Sequence, residues 1–248
     1  RMTQVLSSLD EQILTLSLNR VEKQNAITRD MYQFLADKLK EANADFGIRT
    51  VIITHEGPHF TAGNDIFDFL NDPPHEPGSP VWNFLQEIHN FTKPLLAAVS
   101  GNAIGIGTTM LLHCDITIAS ETTNFSMPFV NLGLVPEAGA SLLFPRLVGY
   151  QKAAHILLTG ESFSAVQAVE MGLIAGIAEN PKDEIRKIAL KLASQPPNAI
   201  LQTKALLKSD LHEKVKVVMQ AEGELFLRAL ESDEAQEAFM KLAAKKGK

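Results

Sequence analysis

Cysteine is almost missing from this 248-residue chain: Cys114 stands alone, so no disulfide can close within it and no cluster of thiolates can bind a metal. That usage fits a reducing, cytoplasmic compartment. Long apolar runs are missing too. No stretch reaches the roughly eighteen residues that a membrane-spanning helix needs, and the polar start RMTQVLSS, in which Arg1 precedes Met2, lacks the basic-then-apolar order of a secretion signal. The end AAKKGK is not a peroxisomal address. Positive charge is also in short supply. Lys and Arg number 23 against 29 Asp and Glu, a net charge of −6, which argues against nucleic acid or an anionic membrane as partner because both demand a cationic face. A local basic patch for a small phosphate ligand stays compatible with that balance. His55, His59, His113 and His155 have no metal-ligand spacing, so no metal is expected.

What is present suits one large core, since 45% of the residues are hydrophobic and 21% charged. Apolar runs rich in β-branched residues predict strands over 13–18, 50–56, 94–100, 115–120 and 172–179. Helical spacing of Met31, Phe34, Leu35, Leu39 and Ala42 follows Thr28, a fitting N-cap. Further helices are predicted over 82–91, 104–113, 138–148, 151–159 and 164–171, giving an α/β chain with a mainly parallel sheet. From 181 to 248 the pattern is wholly helical, which divides the chain into a core over 1–180 and a helical tail. The segment DPPHEPGSP, 72–80, has four prolines in nine positions and predicts a mobile loop over a site.

Three stretches carry chemistry. In GLVPEAGAS, 133–141, a lone carboxylate, Glu137, lies between a proline and small residues, as an acid or base presented to a ligand would. The competing reading is structural: Pro followed by Glu opens a helix well, the acid facing the positive end of the dipole. In HFTAGNDIFDF, 59–69, a strand-to-helix turn could aim backbone N–H groups at an oxyanion, or could be a tight turn capped by Asp65. In SGNAIGIGTTMLLHCD, 100–115, glycines 101, 105 and 107 open a helix N-terminus to a ligand. A nucleotide-binding turn fits that glycine pattern poorly, because it lies some 100 residues into the chain and Tyr150-Gln151-Lys152 has the wrong spacing for a Tyr-x-x-x-Lys pair. Glu222 falls within an apolar stripe of Val215, Val218, Met219, Phe226 and Leu230 and reads as a paired structural acid.

In this order and at these separations, NRVEKQNAIT, HFTAGNDI, KPLLAAVSGNAIGIG, CDITIAS, FSMPFVNLGLVPEAGAS, LLTGESFSAVQAVEMGLI and PPNAILQTK together resemble the crotonase superfamily of enoyl-CoA hydratases and isomerases. The resemblance covers nearly the whole chain. It implies a spiral of ββα units with a C-terminal helical region that builds a trimer or a dimer of trimers, an acyl-CoA thioester substrate, and no cofactor beyond the coenzyme A that the substrate carries. It also implies that backbone amides of Ala62 and Ile106 hold the thioester oxygen. CoA is expected along Lys23, Gln24, Ala26 and the turn of Gly63, Asn64, Asp65 and Ile66, completed by Phe239 and Lys241 from an adjacent subunit. Hydratases of the family carry two glutamates where this chain has Thr109 and Phe129. Pro136-Glu137 instead matches the single catalytic Glu of peroxisomal-type Δ3,Δ2-enoyl-CoA isomerases, which moves a proton from C2 to C4. A hydratase, a hydrolase or a non-catalytic acyl-CoA-binding relative are the alternatives.

Overall fold

In a computed structural model, residues 3–71 and 78–246 are described. Most of the expected 72–80 loop lies outside them. Among the described residues nine strands and eleven α-helices follow one another: β1 (Val5–Asp10), β2 (Ile13–Leu18), α1 (Arg29–Ala44), β3 (Thr50–His55), α2 (Ile66–Asn71), α3 (Pro80–Asn90), β4 (Leu95–Val99), β5 (Asn102–Ile104), α4 (Ile106–Thr109), β6 (Ile116–Ala119) and β7 (Asn124–Ser126), with 3-10 turns over Val21–Lys23, Met110–His113 and Val130–Leu132. After these come α5 (Ala140–Val148), α6 (Tyr150–Thr159), β8 (Phe163–Ser164), α7 (Ala165–Met171), β9 (Gly176–Ile177), α8 (Pro181–Ala193), α9 (Pro197–Lys208), α10 (His212–Leu230) and α11 (Asp233–Lys246).

The main sheet runs β1-β2-β3-β4-β6-β9, parallel except for the β1–β2 hairpin. A second, small sheet runs β5-β7-β8. Isolated bridges Ile27 to Asn64 and Thr61 to Ala103 extend it, so successive turns of the chain each give a segment to both layers before a helix follows. That repetition is the spiral of ββα units.

The period of two along the parallel strands sorts side chains between two cores. Leu14, Leu16, Leu18, Val51, Ile53, Leu95, Ala97 and Val99 enter the larger one, shared with α1 and α3. Ile13, Ile52, Leu96, Ala98 and Ile118 face the other way, onto Ile185 and Ala189 of α8. Three of the helices after residue 180 are therefore parts of these cores: α8 covers the outer face of the sheet, while Met219 of α10 and Ala235 and Phe239 of α11 join the larger cluster.

Two expectations are corrected. The run 172–179 gives only a two-residue strand, because Gly172 ends α7 in a left-handed conformation (φ 80°) and Leu173 and Ile174 bond back to Ala168. Glu137 does not open α5; that helix starts at Ala140, behind two successive left-handed residues, Ala138 (φ 59°) and Gly139 (φ 77°). Among the described residues no helix is long and apolar enough to cross a membrane.

Candidate active site

The site is built where the 61–65 turn, the 100–109 turn and the 134–139 loop converge. Thr61 donates its amide to Asn102 O (3.0 Å) and accepts from Ile104 N (3.0 Å), which zips the first turn to β5. Gly63 is required there: at φ 96°, a Cβ on it would stand 3.1 Å from the carbonyl oxygen of Ile104.

The amides of this turn can be accounted for one by one. Thr61 donates to Asn102, Ala62 to Gln24 O (2.9 Å), Gly63 to Thr61 Oγ1 (3.0 Å) and Asp65 to Ile27 O (2.9 Å). Only Asn64 has an N–H without a partner among the described residues. Ala62, expected from the resemblance to hold an oxyanion, is thus excluded from that role by its bond to Gln24, and the available donor stands two residues later. In the 104–109 part of the other turn the amides of Ile104, Gly105, Thr108 and Thr109 are all bonded, leaving those of Ile106 and Gly107 without a partner among the described residues. The Ile106 N–H is thus available.

Asp65 braces the first turn. Its Oδ2 meets the Arg20 guanidinium at 2.6 Å and its Oδ1 accepts from Asp68 N at 2.9 Å. Burial pushes its carboxyl up, but the Asp68 amide and Arg20 outweigh that and hold it below the usual range. Asn64 accepts a hydrogen bond at Oδ1 from the hydroxyl of Tyr32.

Glu137 is buried, 8% exposed, and Thr109 Oγ1 donates to its Oε1 at 2.7 Å. Burial pushes its carboxyl from the ordinary 4.5 up to about 7; the Thr109 bond opposes this and the charge of Glu222 adds to it. The loop that presents it is clamped on both sides. His113 Nε2 contacts Ala138 O at 2.6 Å, and Glu222 accepts from Gly139 N (2.7 Å), Ser141 N (3.0 Å) and Ser141 Oγ (2.6 Å). The acid at the N-terminus of α5 is therefore Glu222, reaching across from α10, and not Glu137. Phe129 and Leu134 are buried in the larger core, with Leu132 packed against it.

A cleft of about 1300 Å³ opens along the 61–65 turn. Lys23, Gln24, Ala26, Ala62, Asn64, Asp65 and Ile66 line it, and Glu237, Lys241 and Lys245 of α11 form part of its wall. Ile106 and Glu137 are not in that lining; both are buried, and Asn64 is the residue shared by the cleft wall and the Tyr32 hydrogen bond. The structure separates Phe239 from Lys241. Lys241 is exposed and reaches the cleft of its own chain, whereas Phe239 is buried in its own core and so is not available to a neighbouring subunit. His55 and His59 hold the turn: His55 Nε2 accepts from Ser100 N (3.0 Å) and His59 Nδ1 from Asn102 N (3.0 Å). Sequence reasoning passed over Tyr32, Thr109 as the partner of Glu137, and Lys245. A tyrosine among Met31, Leu35 and Leu39 on the buried face of α1 was the available signal.

These features have counterparts elsewhere. A family profile described as enoyl-CoA hydratase/isomerase matches residues 8–247. Enoyl-CoA delta isomerase 2 of Rattus norvegicus is 31% identical over 98% of this chain and 64% of its own length, so this chain spans just under two thirds of that relative. The 2,3-dehydroadipyl-CoA hydratase of Escherichia coli K12 is 32% identical over 91% of this chain and 89% of its own. A solved enoyl-CoA hydratase/isomerase from Pseudoalteromonas atlantica T6c superposes with a TM-score of 0.95 at 40% identity, covering 98% of both chains. The spiral fold, the paired turns and the profile match over almost the full length agree, and the chain belongs to the enoyl-CoA hydratase/isomerase family of the crotonase superfamily.

Proposed function

We propose that the chain is a Δ3,Δ2-enoyl-CoA isomerase in which Glu137 is the single proton carrier. The carboxylate takes a proton from C2 of a 3-enoyl-CoA; the electron pair moves onto the thioester oxygen as a dienolate, and the proton returns at C4 as the double bond shifts into conjugation. The dienolate oxygen lies on the backbone amides of Asn64 and Ile106, each such donor contributing about 3 kcal/mol to the transition state. Lys23, Gln24, Ala26 and the 63–66 turn hold CoA along the cleft, with Lys241 and Lys245 as partners for its phosphates.

The observation that carries this reading is the burial of Glu137 beside the Thr109 hydroxyl, which pushes its carboxyl up to about 7, near neutrality where a base can accept and return the same proton. A hydratase needs a second acid to orient water, and Thr109 and Phe129 occupy the places where one would stand. Glu222 is close enough to act on Glu137 electrostatically, but both of its oxygens are engaged by the 139–141 amides and hydroxyl. The similarity to a delta isomerase supports the isomerase reading, and the similarity to a dehydroadipyl-CoA hydratase keeps hydration as the competing one. Exposed Leu147, Tyr150, Leu158, Leu206, Leu207 and Val217 on α5, α6, α9 and α10 support assembly into a homotrimer or hexamer.

Comparing rates on a 3-enoyl-CoA and on crotonyl-CoA tests the assignment. Isomerisation should be far faster than hydration. Efficient hydration without isomerisation would require another pair of acids.

A further inference from the structure

Tyr32 is a buried polar residue whose hydroxyl the reaction above does not use. It sits on the inner face of α1, fully enclosed, with its ring against Phe84 of α3 at a centroid distance of 5.3 Å. Its hydroxyl donates to Asn64 Oδ1 and has no other partner among the described residues. A buried hydroxyl is costly to leave unpaired, and a fully packed ring cannot swing to find another acceptor, so the bond fixes the Asn64 side chain as firmly as it fixes the phenol.

Asn64 is also the one residue of the 61–65 turn whose N–H is available. Its neighbours are pinned on both sides by Ile27, which donates to Gly63 O (2.8 Å) and accepts from Asp65 N (2.9 Å). The Asn64 N–H shares a peptide plane with Gly63 O, so the Ile27 bonds set its general direction from the backbone side, and the side chain is a further restraint on the same residue. Tyr32 supplies that restraint. Burial raises its phenol well above the ordinary 10, and the charge of Glu137 adds to the rise, so the hydroxyl stays a proton donor and lies within the field of the carboxylate.

We propose that Tyr32 is a positioning residue for the thioester carbonyl: by anchoring the Asn64 side chain it aims the Asn64 N–H at the carbonyl oxygen. The proposal rests on the oxyanion assignment above and adds a residue from α1 to it. Misdirecting one preorganised donor weakens stabilisation of charge that develops only in the transition state, so turnover should suffer more than binding.

The test uses Tyr32→Phe, which keeps the ring against Phe84, together with Asn64→Ala, which keeps the backbone N–H but removes the anchored side chain, and the double variant. Infrared difference spectra of a saturated acyl-CoA carrying 13C at its carbonyl report the hydrogen bonding of that oxygen without any reaction of an alkene. The wild-type carbonyl band should lie below its frequency in buffer, and in Tyr32→Phe it should move back toward that frequency. Turnover of a 3-enoyl-CoA should fall about tenfold with KM within about twofold. Asn64→Ala should show the same losses, and adding Tyr32→Phe to it should change little, as expected for residues acting through one contact. If Tyr32→Phe fails to fold, the band in Asn64→Ala decides. An unshifted wild-type band would remove the oxyanion assignment itself. A shifted wild-type band left in place by the variants would overturn the role of Tyr32, whatever happens to turnover.

Discussion

Replacing Glu137 with Gln should stabilise the protein while removing its activity, and the stabilisation should depend on pH in a way set by the site. Burial raises this carboxyl from 4.5 to about 7, and at 1.36 kcal/mol per unit the ionised form is penalised in the folded state by about 3 kcal/mol. Because the folded pKa is raised, the carboxyl prefers to fold protonated. The penalty is therefore absent below pH 4.5, grows as pH rises between 4.5 and 7, and is complete above 7. Glutamine is uncharged at every pH and keeps an acceptor for Thr109, whose hydroxyl lies 2.7 Å from Oε1. Denaturant unfolding of both proteins at pH 5 and pH 8 isolates the effect, since the titration of other groups cancels in the difference. The gain in stability of Glu137→Gln over wild type should be larger at pH 8 by about 2 to 3 kcal/mol. A difference that does not change with pH would mean an ordinary solvated carboxylate, and the argument from a dry site would be refuted.

Thr109→Val removes a hydrogen bond that lowers the Glu137 pKa, so the acid limb of the pH profile for kcat/KM should move to higher pH, with more activity lost at pH 6 than at pH 8. Glu222→Ala orphans the Gly139 and Ser141 amides at the start of α5 and should lower stability by about 2 to 4 kcal/mol, read from the denaturant midpoint; a surface-like loss would deny its clamping role. His55 and His89 are depressed by burial to about 4 and His113 to about 3, so the stability they contribute is present above pH 6.5 and lost as pH falls through about 4; thermal scans between pH 7 and 4 should show a steep decline. Lys241→Ala should raise KM for acyl-CoA with kcat nearly unchanged, and added salt should shrink the effect because this lysine is exposed; a loss confined to kcat would place it elsewhere in the mechanism.

The elements that were legible in the sequence are those whose burial is complete. β2, β3, β4 and β6 are buried along almost their whole length because both faces of the parallel sheet are covered, and α1 announces itself through Thr28, whose hydroxyl does accept from Met31 N. β1 escaped because it is an edge strand with only Val5 buried. β5, β7 and β8 are two or three residues long and exist only because distant turns are brought beside them, which no local pattern encodes. At the site, the residue types of the two turns pointed to free backbone donors, but which amide is free depends on register: the bond from Ala62 to Gln24 crosses 38 positions of sequence, and it moves the donor to Asn64. Glu137 resembled a helix opener because Pro136 precedes it; the left-handed Ala138 and Gly139 that separate it from α5 are held by His113 and Glu222, contacts that only the folded chain supplies.

The most direct measurement is turnover of a 3-enoyl-CoA by Glu137→Gln set beside its binding of acyl-CoA. A single proton carrier predicts a loss of at least about two orders of magnitude in kcat with binding nearly intact. An unchanged rate would show that the proton moves through another group and would contradict the account.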